Sequence, residues 1–381
     1  MIKRACELFS VIVFCLVVAY IIQSVAFAAN GKVIYDKVQS PALEDNLLGD
    51  SADRDVIVYL PPSYETSLER RYPVVYLLHG YTLHAADWTG GGTYGGYFNI
   101  LTNLNRFMTQ NPTHEMIIVI PDVYNKYRGS WYVNSSVTGN WEDFITQELI
   151  RYIDANYKSL PQSSSRGITG HSMGSIGAWI LAIKHSDVYS AVYALSGGGP
   201  LDKDDWIQDE NTWRVVLSLG NIAQFSGSNM DIQGQIAVAA AFSPNPDNPP
   251  FYADFPFELV NGELRKVDSV WQRWILGFDI VSLIGSHTEN VRKLKGICFG
   301  WGKEESAGIE QAQVVSQTLT DLGIPHIYEE YEGGHNDNVP GRIESGILPF
   351  FAEVLAFEML PVETDMQPQV KPLETRWGET K

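Results

Sequence analysis

The chain has 381 residues, a formal net charge of −18 from 45 acidic side chains against 27 Lys and Arg, and 45% hydrophobic residues. So acidic a balance argues against a nucleic-acid partner, which needs a basic face, and disfavours adhesion to anionic membranes. The hydrophobic content, with only 19% charged residues, excludes a disordered or fibrous chain and supplies a sizeable core.

Lys3 and Arg4 precede an apolar run from about Phe9 to Ile22, and Ala26-Phe27-Ala28 then offers the small residues read by a signal peptidase. The pattern predicts a secretory signal over residues 1–28, with the mature chain beginning near Ala29. A retained anchor is disfavoured because the run is shorter than the roughly 20 residues that span a bilayer, so no stable membrane insertion is expected after cleavage. Cys6 and Cys15 fall in this segment, leaving Cys298 alone among the three cysteines. An exported protein without a disulfide must hold its fold by its own core. Cys298, in the apolar run Gly296-Ile297-Cys298-Phe299, reads as a buried strand residue.

From Val56 short apolar runs alternate with longer helical patterns, the signature of an α/β fold with a mostly parallel central sheet and helices on both faces. Strands are predicted at Asp55–Leu60, Pro73–Leu78 and Met116–Ile120, ending at Pro61-Pro62, His79-Gly80 and Pro121-Asp122. Runs so continuously apolar suit strands buried on both faces. Between Trp141 and Tyr157, Ile145, Leu149, Tyr152 and Ile153 recur at helical spacing, predicting an amphipathic helix. A strand at Arg166–Thr169, a sharp turn, a helix from about Ser175 to Lys184 and a strand at Val192–Leu195 follow.

From about Leu201 to Lys293 the regularity weakens. Trp206, Trp213, Trp271 and Trp274 accompany a Pro-rich stretch from Pro244 to Pro256, and a long irregular insertion over the C-terminal edge of the sheet is expected to act as a cap. The sheet resumes at Gly296–Gly300, a helix covers Ile309–Leu322, a last strand runs His326–Tyr331, and a helix from about Ile343 to Phe357 closes a domain spanning 29–360. The polar tail, 361–381, is expected to be mobile.

Gly170-His171-Ser172-Met173-Gly174 is a G-x-S-x-G motif set between a strand and a helix, the context of the nucleophile elbow in an α/β-hydrolase fold. A serine hydroxyl needs a base to take its proton and a carboxylate to orient that base. In this fold both follow the serine, acid first. His335, in the Gly-rich loop Glu332-Gly333-Gly334-His335 after the last strand, fits the base; His79, His84, His114, His171, His185, His287 and His326 fit less well. The acid belongs just past the strand ending near Gly300, where Glu304 and Glu305 stand and no aspartate does; Asp279 and Asp337 are more remote alternatives. For the oxyanion of the tetrahedral intermediate, the backbone N–H groups of Met173 and of Tyr81, after His79-Gly80, are the expected donors.

These residues resemble the esterase D type of esterases, which includes feruloyl and acetyl xylan esterases, S-formylglutathione hydrolases and antigen 85 mycolyltransferases. Val58-Tyr59-Leu60-Pro61-Pro62, Leu77-Leu78-His79-Gly80, Ser130-Trp131-Tyr132, Asp143-Phe144 with Glu148-Leu149, Gly170–Gly174 and Gly333-Gly334-His335 carry the resemblance in order and spacing, from about Val56 to Phe357. The family's acid stands in a G-x-x-D segment about thirty residues before the histidine. Gly302-Lys303-Glu304-Glu305 fits that frame with glutamate at the acid position, so the resemblance implies Glu305 ahead of Glu304. Ser175 stands where many members have a second glycine.

The resemblance implies a serine carboxylesterase acting on small-molecule or carbohydrate-linked esters such as acetyl or feruloyl groups, and the signal pattern of residues 1–28 implies that it works outside the cytoplasm, secreted or periplasmic. Acyl transfer to a sugar hydroxyl is the alternative, and a non-catalytic binding protein is the third reading, disfavoured because Ser172 and His335 are both present. No metal or organic cofactor is expected: no His/Cys cluster has ligand spacing, and no phosphate-binding glycine loop follows a strand.

Overall fold

The computed structural model describes residues 30–94 and 96–358; the segment 1–28 and the tail 361–381 lie outside them. Among the described residues, eight strands form one sheet: β1 (Lys32–Gln39), β2 (Asp53–Leu60), β3 (Val74–Leu78), β4 (Ile117–Pro121), β5 (Arg166–His171), β6 (Ala191–Leu195), β7 (Gly296–Gly302) and β8 (Ile327–Tyr331). They lie in the order β1-β2-β4-β3-β5-β6-β7-β8. Only the β1/β2 and β2/β4 pairings are antiparallel; all the others are parallel.

The apolar strands bury both faces by simple alternation. Val56, Val58 and Leu60 join one hydrophobic cluster, and Ile57 and Tyr59 join a second on the opposite face. Helix α1 (Leu101–Gln110) covers the second face with Leu104, Phe107 and Met108, spaced i, i+3, i+4. On the first face a helical stretch, α2, runs through Trp141–Asp143, a π turn at Phe144–Glu148 and Leu149–Asn156. Beside it pack α3 (Met173–Lys184) and, further along, α5 (Ser306–Asp321). The closing helical stretch α6, Val339–Arg342 with Ile343–Ile347 and Leu348–Val354, returns to the second face.

Two elements lie outside the sequence expectation. Strand β1 is a half-exposed edge strand in which Lys32, Asp36 and Lys37 interrupt the apolar residues, so no continuous apolar run marks it. Helix α1 fills a span without a predicted element, although Leu101, Leu104, Phe107 and Met108 recur there at helical spacing.

The expectation that residues 201–293 are irregular is corrected: the segment is mostly short helices. Asp204, Asp209, Asn221, Asn229 and Asp279 each accept a backbone N–H in the first turn of one of them, which is what these residue types do at an N-cap. The longest, α4 (Met230–Phe242), is buried from Ile232 to Ala241 on every side, so it carries no amphipathic period to read. Trp213 lies against Phe255, Phe257 and Trp274, at ring separations of 5.9, 5.5 and 6.0 Å. The two indole N–H groups are satisfied, Trp213 Nε1 by Ile207 O (2.7 Å) and Trp274 Nε1 by Ser243 Oγ (2.8 Å). Cap and sheet share a single hydrophobic cluster.

Candidate active site

Pairing registers bring five chain segments to one edge. Leu78 lies opposite Gly170, His171 opposite Leu195, Leu195 opposite Gly300, and Gly302 opposite Tyr331. The residues just beyond these strand ends, Tyr81, Ser172, Ser196, Glu305 and His335, therefore converge at the carboxyl edge, where ligands bind in open α/β sheets.

Ser172 sits at the turn from β5 into α3 with φ 59° and ψ −121°, a conformation costing an L-residue on the order of 1–3 kcal/mol. The turn is tight enough to demand glycine at both flanks. A Cβ on Gly170 would lie 2.3 Å from Gly174 O, and one on Gly174 would lie 2.2 Å from Leu78 O. The Ser172 N–H is held by Leu195 O (3.0 Å), while the Ser172 hydroxyl makes no hydrogen bond among the described residues. Ser175 donates its hydroxyl to Gly197 O (2.7 Å) and packs fully buried, so this departure from the family pattern is satisfied locally.

His335 Nδ1–H donates to Glu305 Oε1 at 2.6 Å, which leaves Nε2 as the lone-pair nitrogen. Glu305 Oε2 in turn accepts from Ser196 Oγ (2.9 Å) and the Gly302 N–H (3.0 Å), and Ser196 also bonds Tyr331 OH. Burial alone would raise the Glu305 carboxyl, but His335, Ser196 and the Gly302 N–H together hold it below the usual carboxylate range. The other candidate acids are placed elsewhere. Asp279 spends its carboxylate on the N–H groups of Leu201 (2.6 Å) and Ser282 (2.7 Å), and Asp337 accepts from Gly334 N–H (2.8 Å). Glu304 lines the same cavity without bonding His335.

His171 and His79 are site residues that the sequence did not single out. His171 Nε2–H donates to His335 O (2.7 Å), and the two rings lie 4.8 Å apart. Burial first, and the neighbouring His335 second, push His171 down to about 3. It therefore stays neutral, and the base has no cation beside it. His79 is fully buried, with Nδ1–H on Gly80 O (2.9 Å) and Nε2 accepting from Val123 N–H (2.9 Å). Gly80 C=O and Tyr81 N–H belong to one rigid peptide plane, so His79 fixes the direction of the Tyr81 N–H. Tyr132 OH holds the preceding carbonyl, His79 O, at 2.8 Å. Neither the Tyr81 N–H nor the Met173 N–H is bonded to another group among the described residues. The signal that could have found His171 and His79 is their position at the strand ends flanking the elbow.

Ser172, Met173, His171, Ser196, Glu305 and His335 open onto a cavity of about 850 Å³, lined from the core domain also by Tyr81, Tyr94, Tyr97 and Trp131 and from the cap by Trp206 and Phe278. Tyr97 OH reaches across to Asn336 O (2.9 Å), joining the loop before α1 to the His335 loop. Among the described residues no group of His, Cys, Asp and Glu side chains could hold a metal ion. Cys298 is buried in β7 and does not line the cavity.

The family model described as "Putative esterase" matches residues 51–338, about three quarters of the chain. Curated esterases from two strains of Mycobacterium tuberculosis are 27% identical to it over 286 residues, 74% of this chain and 52% of theirs; the chain thus spans about half the length of those relatives. The structure of a ferulic acid esterase matches with a TM-score of 0.57 at 21% identity, covering 86% of this chain and 100% of that one. An S-formylglutathione hydrolase from Agrobacterium tumefaciens matches with a TM-score of 0.54 at 17% identity, covering 86% and 97%. At such identities these two structures speak to the fold alone, which is that of the α/β-hydrolases.

Proposed function

The chain belongs to the esterase family, and from that premise we propose that it is a serine carboxylesterase working through an acyl-enzyme on Ser172. The observation that carries the reading is the His335–Glu305 hydrogen bond of 2.6 Å in the cavity that Ser172 also lines. In this reading His335 Nε2 takes the Ser172 proton as Oγ attacks the ester carbonyl, and Glu305 stabilises the imidazolium that forms. The oxyanion is held by the free N–H groups of Tyr81 and Met173; loss of one such donor costs about 10²–10³ in rate. His335 then gives its proton to the departing alkoxide, and a water activated by the same nitrogen releases the acid.

The substrate proposed is an acetyl or feruloyl ester carried on carbohydrate. The aromatic walls support this, since ring faces suit both a phenolic acyl group and a sugar. Work outside the cytoplasm is part of the proposal and rests on the basic and apolar pattern of residues 1–28. No helix among the described residues is long and apolar enough to cross a membrane.

The test is hydrolysis of p-nitrophenyl acetate and methyl ferulate by the protein and by Ser172→Ala, His335→Ala, Glu305→Gln and Glu304→Gln. The first two variants should lose at least about 10³-fold in kcat, Glu305→Gln should fall much further than Glu304→Gln, and a Ser172→Ala variant retaining activity would sink the proposal. Product analysis with an added sugar acceptor separates hydrolysis from acyl transfer.

A further inference from the structure

We propose that the cavity is a charge filter, admitting uncharged and cationic esters and turning away anionic ones. This inference rests on the esterase reading and extends it to the choice of substrate. Besides Glu305, four carboxylates line the cavity: Asp204, Asp205 and Asp231 from the cap, and Glu304 from the loop after β7. No lysine or arginine lines it among the described residues. Arg128, near enough to act on the Tyr81 hydroxyl, is not part of the lining, and Lys303 is paired with Glu332.

The carboxylates stand on two sides. Asp231 is fixed by Trp206 Nε1–H, which donates to its Oδ1 at 3.0 Å; Trp206 is itself part of the wall. Glu304 approaches from the triad side, and its own N–H bonds Gly333 O (3.1 Å). An anionic group entering this space loses water to aromatic walls and meets one sign of charge without a compensating cation. At separations of about 8 Å and an effective dielectric constant of about 30, each nearby carboxylate disfavours an anion by about tenfold. The transition state escapes the same repulsion because its oxyanion is met by the Tyr81 and Met173 N–H groups. The acid product, ionised once released from Ser172, is driven out by the field that excluded anionic substrates.

The experiment uses three phenyl acetates carrying a para carboxamide, sulfonate or trimethylammonium group, with each kcat/KM normalised to the hydroxide-catalysed rate of the same ester. The carboxamide and trimethylammonium esters should exceed the sulfonate by at least about tenfold. An Asp205→Asn/Asp231→Asn double variant should narrow that ratio, as should added salt; the amide oxygen introduced at position 231 can still accept from Trp206. Parity between sulfonate and carboxamide, or a ratio unmoved by the double variant, overturns the proposal. In parallel, the three parent phenols are titrated into Ser172→Ala, with binding followed by tryptophan fluorescence. A protein that hydrolyses none of the esters but binds the phenols in the same order keeps the charge filter and loses the esterase reading; equal binding of the three removes the filter.

Discussion

Single carboxylates in this molecule are set by what surrounds them, and Glu305 and Asp204 are set in opposite directions. Glu305 has three partners and titrates below its ordinary range, so its contribution to stability is whole at neutral pH and is lost only as pH falls through its lowered pKa. Asp204, half-buried in the cavity wall, is pushed up to about 6 by burial. Its sign is the reverse: the folded protein holds the proton more tightly, stability falls as pH rises through about 3.8 to 6, and the full cost stands at pH 7. Asp204→Asn keeps an oxygen for the Ile207 N–H and removes the charge. We expect it to stabilise the protein by about 1 kcal/mol at about pH 7.5, discounted for the opening to the cavity, and by nothing measurable at about pH 4. Urea unfolding at the two pH values reads this; destabilisation at the higher pH contradicts it. The sequence marked Ser172 by its motif and His335 by its glycine loop. Which of two adjacent glutamates meets His335 depends on the turn after Gly302, and the supporting roles of Ser196 and His171 depend on registers between strands far apart in sequence.

At the level of elements, the site is a consequence of where parallel strands stop. The strands were readable because two-sided burial makes them continuously apolar, as in Val74–Leu78 and Ile117–Ile120. Edge strand β1 and the cap helices were not, since their cues are alternation interrupted by charge and isolated N-cap residues. The elbow is the tightest junction. The Cβ of a Gly174→Ala variant would lie 2.2 Å from Leu78 O and 2.6 Å from Leu78 C, both backbone atoms that cannot step aside. The variant should lose at least about 3 kcal/mol or fail to fold, as judged by denaturant midpoint. A stability within about 0.5 kcal/mol of the parent would show that α3 can move off β3.

Over the whole molecule, cap and core domain share one hydrophobic cluster. Trp213, Ile236, Phe257 and Trp274 of the cap belong to the same cluster as Val56, Ile168 and Val192 of the sheet. One unfolding transition is therefore expected, with tryptophan fluorescence and far-ultraviolet circular dichroism tracing the same urea curve; two separated transitions would mark the cap as an independent unit. The mostly parallel sheet with helices on both faces was legible from the alternation of strands and helices, and the α/β-hydrolase fold from the Gly170–Gly174 elbow set between a strand and a helix. The insertion between β6 and β7 was readable as a break in that alternation, and it supplies Asp204, Asp205, Trp206, Asp231 and Phe278 to the cavity wall. Its internal packing did not follow, because a helix buried on all sides leaves no periodic trace.

The most direct measurement of the central claim is labelling with a fluorophosphonate followed by peptide mass spectrometry, which needs no knowledge of the substrate. The account predicts one adduct per chain, on the peptide containing Ser172, formed far more slowly in His335→Ala and Glu305→Gln than in Glu304→Gln. An adduct on another residue, or equal labelling rates in all three variants, would contradict it.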